Sequence, residues 1–180
     1  MEFNERNSRF SHLMEPVHER AFKLALNLAG NRPAAEDLYQ TAVLNALSGL
    51  HRLRDEERFE SWFVSILLNG FRREKRRFGS APVSLEGGAE PAGGAVKGPD
   101  GLDLIDLRRC LDALHPVQRE IILLHAVHGY SLIECASILG VRPGAARARL
   151  FRARKELRKR FFIANPPALE TTREVHSCEG

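Results

Sequence analysis

Residues 142–160, RPGAARARLFRARKELRKR, hold nine Lys/Arg against one acid, Glu156, a net charge of +8 inside a chain whose total is only +4. Such a basic helix alone suits a solvated face or a membrane-surface element, and its guanidinium groups also suit a polyanion. They donate hydrogen bonds in a planar fork that fits phosphate oxygens or the O6/N7 edge of guanine. The apolar residues decide where those forks point. Ala146, Leu150, Ala153 and Leu157 are spaced four, three and four apart, the repeat of one buried helical stripe. That stripe turns Arg147, Ala148, Phe151 and Arg152 toward another face and leaves Arg149, Arg154, Lys155 and Arg158 on the flanks.

Other chemistries have little support. No glycine-rich phosphate loop and no nucleophile–base pairing stands out. The three cysteines, Cys110, Cys135 and Cys178, are odd in number and far apart, with no Cys-x-x-Cys pair, so reduced thiols are expected rather than a disulfide framework. His176 and Cys178 are close in sequence, but two ligands do not make a metal site. No metal and no cofactor is expected. The first residues, MEFNERNSRF, lack an apolar signal-peptide core, and no apolar run approaches the length of a membrane span. A cytoplasmic protein is the expectation.

The elements that must position the basic helix are also helical. Val17, Ala21, Leu24, Ala25 and Leu28 recur at helical spacing with Gly30 as a stop, and Pro33 suits the first turn of a second helix that ends near Ser48–Gly49. A third runs through FESWFVSILLNGFRREKRR, apolar first and basic last. Its terminal cations, Arg72 to Arg77, also complement a helix dipole. Residues 79–101 hold seven glycines and three prolines, a composition for a flexible linker. Beyond it, Leu104, Leu107, Leu111 and Leu114 form a stripe, Pro116 opens a helix stopped by Gly129, and Ser131 with Glu134 forms a capping box. Gly140 takes the turn into the basic helix, and the small Ala136 lies where the two helices cross. Short helix, glycine turn and basic helix make a helix-turn-helix, the kind of unit that enters a major groove. The fold class predicted is therefore all-α: two small helical domains joined by a flexible linker. The boundaries are 10–78, linker 79–101, 102–162 for the helix-turn-helix domain, and a loose tail at 163–180.

The segment LDALHPVQREIILLHAVHGYSLIECASILGVRPGAARARLFRARKELRK resembles region 4 of bacterial sigma factors of the extracytoplasmic-function (ECF) class. AFKLALNLAGNRPAAEDLYQTAVLNAL and RFESWFVSILLNGFRREKRR resemble that class's region 2. Both resemblances occur in the family's order, with the linker in the family's place. Some positions depart from the pattern. Thr41 stands where the family has an acid, Leu68 replaces a frequent Arg, and Ala145, Ala146 and Ala148 stand for Thr, Val and Ser.

The resemblance implies a promoter-specificity subunit and not an enzyme. Asp37, Leu38, Gln40, Thr41, Leu44 and Asn45 would bind core RNA polymerase, with plain core packing the alternative for Leu38 and Leu44. Phe59 and Trp62 would supply apolar surface to the melted −10 strand, though Trp62 also suits a core. Asn69 and Arg72 would make polar contacts, and Arg73, Lys75 and Arg76 would follow its backbone. Arg147, Ala148, Phe151 and Arg152, flanked by Arg149 and Arg154, would read double-stranded −35 DNA. The linker acids Glu86 and Glu90 would mimic nucleic-acid charge along the polymerase. The implied partners are core polymerase, promoter DNA as duplex and melted strand, and an anti-sigma protein that would hold the chain at a membrane when inactive; no small-molecule substrate is implied. Two rivals stand beside this reading. One is a stand-alone helix-turn-helix regulator that binds a palindrome as a dimer. The other is an interaction protein that sequesters polymerase.

Overall fold

The computed structural model describes residues 2–78 and 104–164. The expected linker, with Glu86 and Glu90, lies outside the described residues, as do His176, Cys178 and nearly all of the expected tail. Among the described residues there are eight α-helices and no strand.

The first four helices form one unit. α1 (Glu2–Met14) was not expected from the sequence, because its apolar residues cluster at its end, where Phe10 and Met14 are buried. α2 (His18–Ala29) buries Ala21, Leu24, Ala25 and Leu28 and stops at Gly30 as the sequence predicts. α3 (Arg32–Gly49) starts on Asn31, whose side chain accepts the Ala34 N–H at 2.9 Å, with Pro33 in the first turn. Its buried residues are Ala35, Leu38, Ala42 and Ala46. Three alanines on one stripe allow the neighbouring helices to come close. Two short 3-10 turns, Leu50–Arg52 and Glu56–Arg58, lead into α4 (Phe59–Phe78). Gly70 of α4 lies over Leu38, where an added Cβ would stand 3.4 Å from its Cδ1. Phe63, Val64, Leu67, Leu68 and Phe71 complete the core, each fully buried side chain contributing about 2 kcal/mol of transfer free energy.

The second unit comprises α5 (Leu104–Asp112), α6 (Pro116–Ile122), α7 (Leu132–Leu139) and α8 (Pro143–Ala164). The uninterrupted helix expected up to Gly129 instead widens into a π turn over Leu123–Val127. There the His128 N–H reaches back to the Leu123 carbonyl at 2.9 Å, and the Tyr130 N–H to that of Leu124 at 3.0 Å. The extra residue in this turn lets Leu123, Leu124 and Tyr130 all be buried. Ser131 and Glu134 form the reciprocal capping box. Gly140 has φ +64°, a left-handed turn that a side chain would strain. α8 continues through residues 163 and 164, so the expected tail begins two residues too early.

The two units pack together. The buried residues of both form one continuous cluster, and α4 lies against α7 while α2 meets the π turn.

Candidate nucleic-acid and protein interfaces

α8 is anchored as its spacing requires. Ala146, Leu150 and Ala153 are buried, while Leu157 is only half-buried at the edge of the stripe. Ala136 of α7 is buried beside them. Its methyl group keeps the two helices of the turn motif in contact. Arg147, Ala148, Phe151, Arg152 and Arg154 are exposed and Arg149 is half-exposed. Phe151, at 70% exposure, stands among these cations on the outward side. Among the described residues no acid holds Arg147 or Arg152, whereas Arg160 is tied to Glu156 at 2.9 Å. The face is thus cationic, with one aromatic ring, and mounted on a rigid helix.

On α3 the exposed residues Asp37, Gln40, Thr41, Leu44 and Asn45 recur at three- and four-residue intervals. They form one polar face with an apolar centre, since Leu44 is 66% exposed. Leu38 is different. At 4% exposure it is part of the core under Gly70, so packing is its role and it has no surface to offer.

α4 separates its candidates in the same way. Phe59 is buried and packs edge-on against Phe10 with ring centroids 5.8 Å apart, which removes it from any DNA surface. Trp62 is half-buried, lies on Phe59 and Gly49, and presents its remaining edge to a groove of about 360 Å³. Arg52, Arg54, Arg58 and Ser65 line that groove together with Asp55, which pairs with Arg58 at 3.1 Å, and Ser137 of α7 reaches it from the other unit. The three arginines were not singled out from the sequence, because RLRDEER mixes their charge with acids. A cationic rim beside an indole face suits a stacked base and its phosphate. A larger groove near α1 is lined by Glu15, Glu56, Glu57 and Glu60 and would repel a polyanion.

Further along α4, Asn69, Arg73 and Arg76 are exposed, and Lys75 lies 5.7 Å from the Phe71 ring. Arg72 is already engaged. Its Nε and Nη2 donate to the two carboxylate oxygens of Glu120 at 2.9 and 2.7 Å, and its Nη1 donates to Asn69 at 3.2 Å. The Glu120 bonds hold the Arg72 guanidinium in its charged form more firmly than usual.

Residues 13–80 match the family model for sigma-70 region 2, and residues 104–157 match that for sigma-70 region 4. The chain is 37% identical to the RNA polymerase sigma factor CarQ of Myxococcus xanthus over 72% of its own length and 75% of CarQ. It is 30% identical to the ECF RNA polymerase sigma factor EcfG of Rhodopseudomonas palustris, covering 80% of this chain and 79% of that protein. The chain belongs to the ECF class of sigma factors. Its fold is also that of solved members. The sigma factor RpoE from Bartonella quintana, in complex with the anti-sigma factor NepR, matches with a TM-score of 0.69 and 26% identity over 86% of this chain and 98% of RpoE. CnrH, solved in complex with the cytosolic domain of CnrY, matches with a TM-score of 0.65 and 25% identity over 88% of this chain and 90% of CnrH. In this sigma factor the region 2 match takes in α2–α4 and the last two residues of α1, and the region 4 match takes in α5–α7 and α8 as far as Leu157. None of its helices within the described residues is long and apolar enough to cross a membrane, and no group of three metal-ligating side chains converges among them.

Proposed function

We propose that the chain acts in the cytoplasm as the promoter-reading subunit of RNA polymerase, with three surfaces dividing the work. The exposed face of α3, Asp37, Gln40, Thr41, Leu44 and Asn45, docks on core polymerase, with Leu44 as its apolar anchor. Trp62, Asn69, Arg72, Arg73, Lys75 and Arg76 of α4, joined by Arg52, Arg54 and Arg58 on the groove rim, take the melted −10 strand. The outward face of α8, Arg147, Ala148, Phe151 and Arg152 flanked by Arg149 and Arg154, enters the major groove of −35 DNA. The observation that carries this reading is the coexistence, in one chain, of an apolar-centred face on region 2 and a cationic face on the recognition helix of region 4. A stand-alone regulator has no use for the first. The chain supplies binding and positioning, while bond making belongs to the polymerase. Because RpoE and CnrH were solved with NepR and CnrY, a regulatory protein of the anti-sigma type is proposed as a further partner.

Run-off transcription from genomic fragments, with core polymerase alone and with the chain added, tests the reading. Discrete starts that require the chain support it. Tight binding to palindromic duplex with no core-dependent start would overturn it in favour of a dimeric regulator.

A further inference from the structure

α8 runs past the region 4 match, which ends at residue 157, and stops only at Ala164. That extension carries two apolar side chains that none of the three proposed surfaces uses. Phe162 is 53% exposed and Ile163 is 71% exposed. Phe162 follows Phe151 by eleven residues, about three helical turns. The two rings therefore stand in one line, on the side of α8 turned away from the buried Ala146, Leu150 and Ala153. Leaving this surface in water forgoes the free energy that covering it would release.

The charges around the rings decide what kind of cover fits. Arg152, Arg154, Lys155, Arg158 and Lys159 lie between Phe151 and Phe162 in sequence, and all five are exposed. The one acid on α8, Glu156, is occupied by Arg160 at 2.9 Å. Among the described residues no acid pairs with the other five. Duplex DNA accounts for the cations near Arg147. It does not account for Phe162 and Ile163, which lie about 16 Å further along the helix axis than Phe151. A partner for the whole line must offer negative charge over that length and an apolar layer directly beneath it. Anionic lipid has both, with phosphates at headgroup level and acyl chains below. Long Lys and Arg stems reach the headgroups while neighbouring apolar side chains go deeper. Neither groove described above involves α8, so the helix presents a ridge, and a ridge suits a flat, deformable surface.

We propose that the outward side of α8 is also a membrane-docking surface: without promoter DNA it lies on an anionic bilayer, its cations at the phosphates and Phe151, Phe162 and Ile163 in the outermost acyl layer. The buried stripe stays on the domain, so α8 lies along the surface and does not cross it. Charge and a few apolar side chains together give reversible attachment. Phe151 and Arg152 are shared with the duplex-reading face, so lipid and duplex compete for the chain. The proposal stands on the exposed side of α8 and does not depend on which strand α4 takes.

The full-length chain and a Phe162→Ser/Ile163→Ser variant are sedimented with vesicles of phosphatidylglycerol and phosphatidylcholine in equal parts, and with phosphatidylcholine alone. Fluorescence anisotropy gives the affinity of each for a mixed-sequence duplex. The wild type should bind the mixed vesicles and not the neutral ones, and excess duplex should release it. The variant should bind the mixed vesicles about tenfold more weakly and keep its duplex affinity. Absence of binding to mixed vesicles overturns the proposal. So does a variant that binds them as well as the wild type, because charge alone would then hold the chain. Equal binding to neutral vesicles, or failure of duplex to release the chain, also overturns it. Sedimentation without lipid covers the remaining occupant: a wild-type dimer that the variant lacks, with no vesicle binding, assigns the patch to a second copy of the chain. If circular dichroism shows the double variant unfolded, Ile163→Ser alone carries the test, with an expected loss of about threefold. Run-off transcription, measured alongside, reports the sigma-factor reading separately.

Discussion

Arg147 and Leu44 are each exposed at the centre of a face, so their replacement should change binding without changing stability. Arg147→Ala should alter preference at one −35 base pair by about 1–3 kcal/mol if its fork meets a base edge. A selection from randomised duplexes measures this, and uniform weakening across sequences would assign Arg147 to a phosphate. Leu44→Ala should weaken binding to core polymerase roughly tenfold, the effect of losing an apolar anchor, with an unchanged melting temperature. A competition assay against wild-type chain for limiting core reads it directly. Leu38 contrasts with Leu44. The two are six residues apart on one helix, a rotation of about 240°, so Leu38 falls on the buried stripe of Ala35, Ala42 and Ala46 while Leu44 faces outward.

The helix-turn-helix is held by local devices whose costs can be separated. Ser131→Ala removes the acceptor for the Glu134 N–H and should destabilise region 4 by about 1 kcal/mol in a denaturant titration. Ala136→Leu inserts bulk between α7 and α8 and should cost about 1–3 kcal/mol. α8 itself bears on electrostatics more than on stability. Arg154 and Lys155 are exposed on its flank. Replacing both with alanine should flatten the plot of log affinity against log salt by about two, one phosphate each. A slope that stays the same would mean that neither touches the backbone.

The packing of the two units should respond to pH through His128. Its half-buried ring meets the Asn27 side chain of α2 at 3.1 Å, with Arg20 and Lys23 on the same helix. Burial first, then those two cations, lower its pKa from the usual 6.5. Glu60 of α4, which binds Arg20 and Tyr130, is the acid facing this corner. A base with a depressed pKa takes up its proton more readily once released, so the unfolded chain binds more protons than the folded one. Stability is therefore greatest above that usual value and declines as pH falls through it. Denaturant titrations at mildly acidic and mildly alkaline pH should show stability falling on acidification, and a His128→Asn chain should show less change. None of this interface was legible in the sequence. Ser131, Glu134 and Gly140 follow local rules and could be placed from residue type and spacing alone. Arg72 and Glu120 are 48 positions apart, and the basic end of α4 looked complete without an acid from the other unit. The π turn was hidden for another reason: a hydrogen bond shifted by one residue leaves the run of apolar side chains looking helical. The surfaces on α3 and α8 were legible as faces, whereas Leu38 and Phe59 needed three dimensions to be assigned to the core.

The sulfur at Cys135 has a practical consequence. It lies inside region 4, 3.7 Å from the Tyr130 carbonyl, and burial pushes its thiol up to about 11. Neither thiolate nor access is available in the native fold, so a thiol reagent reaches it only during excursions that expose the core. In a Cys178→Ser chain, with Cys110 also buried, the rate of labelling becomes a clock for those excursions, read from an untagged protein. A promoter duplex that grips α8 should slow it, and the slowing measures how firmly DNA braces the domain that reads it.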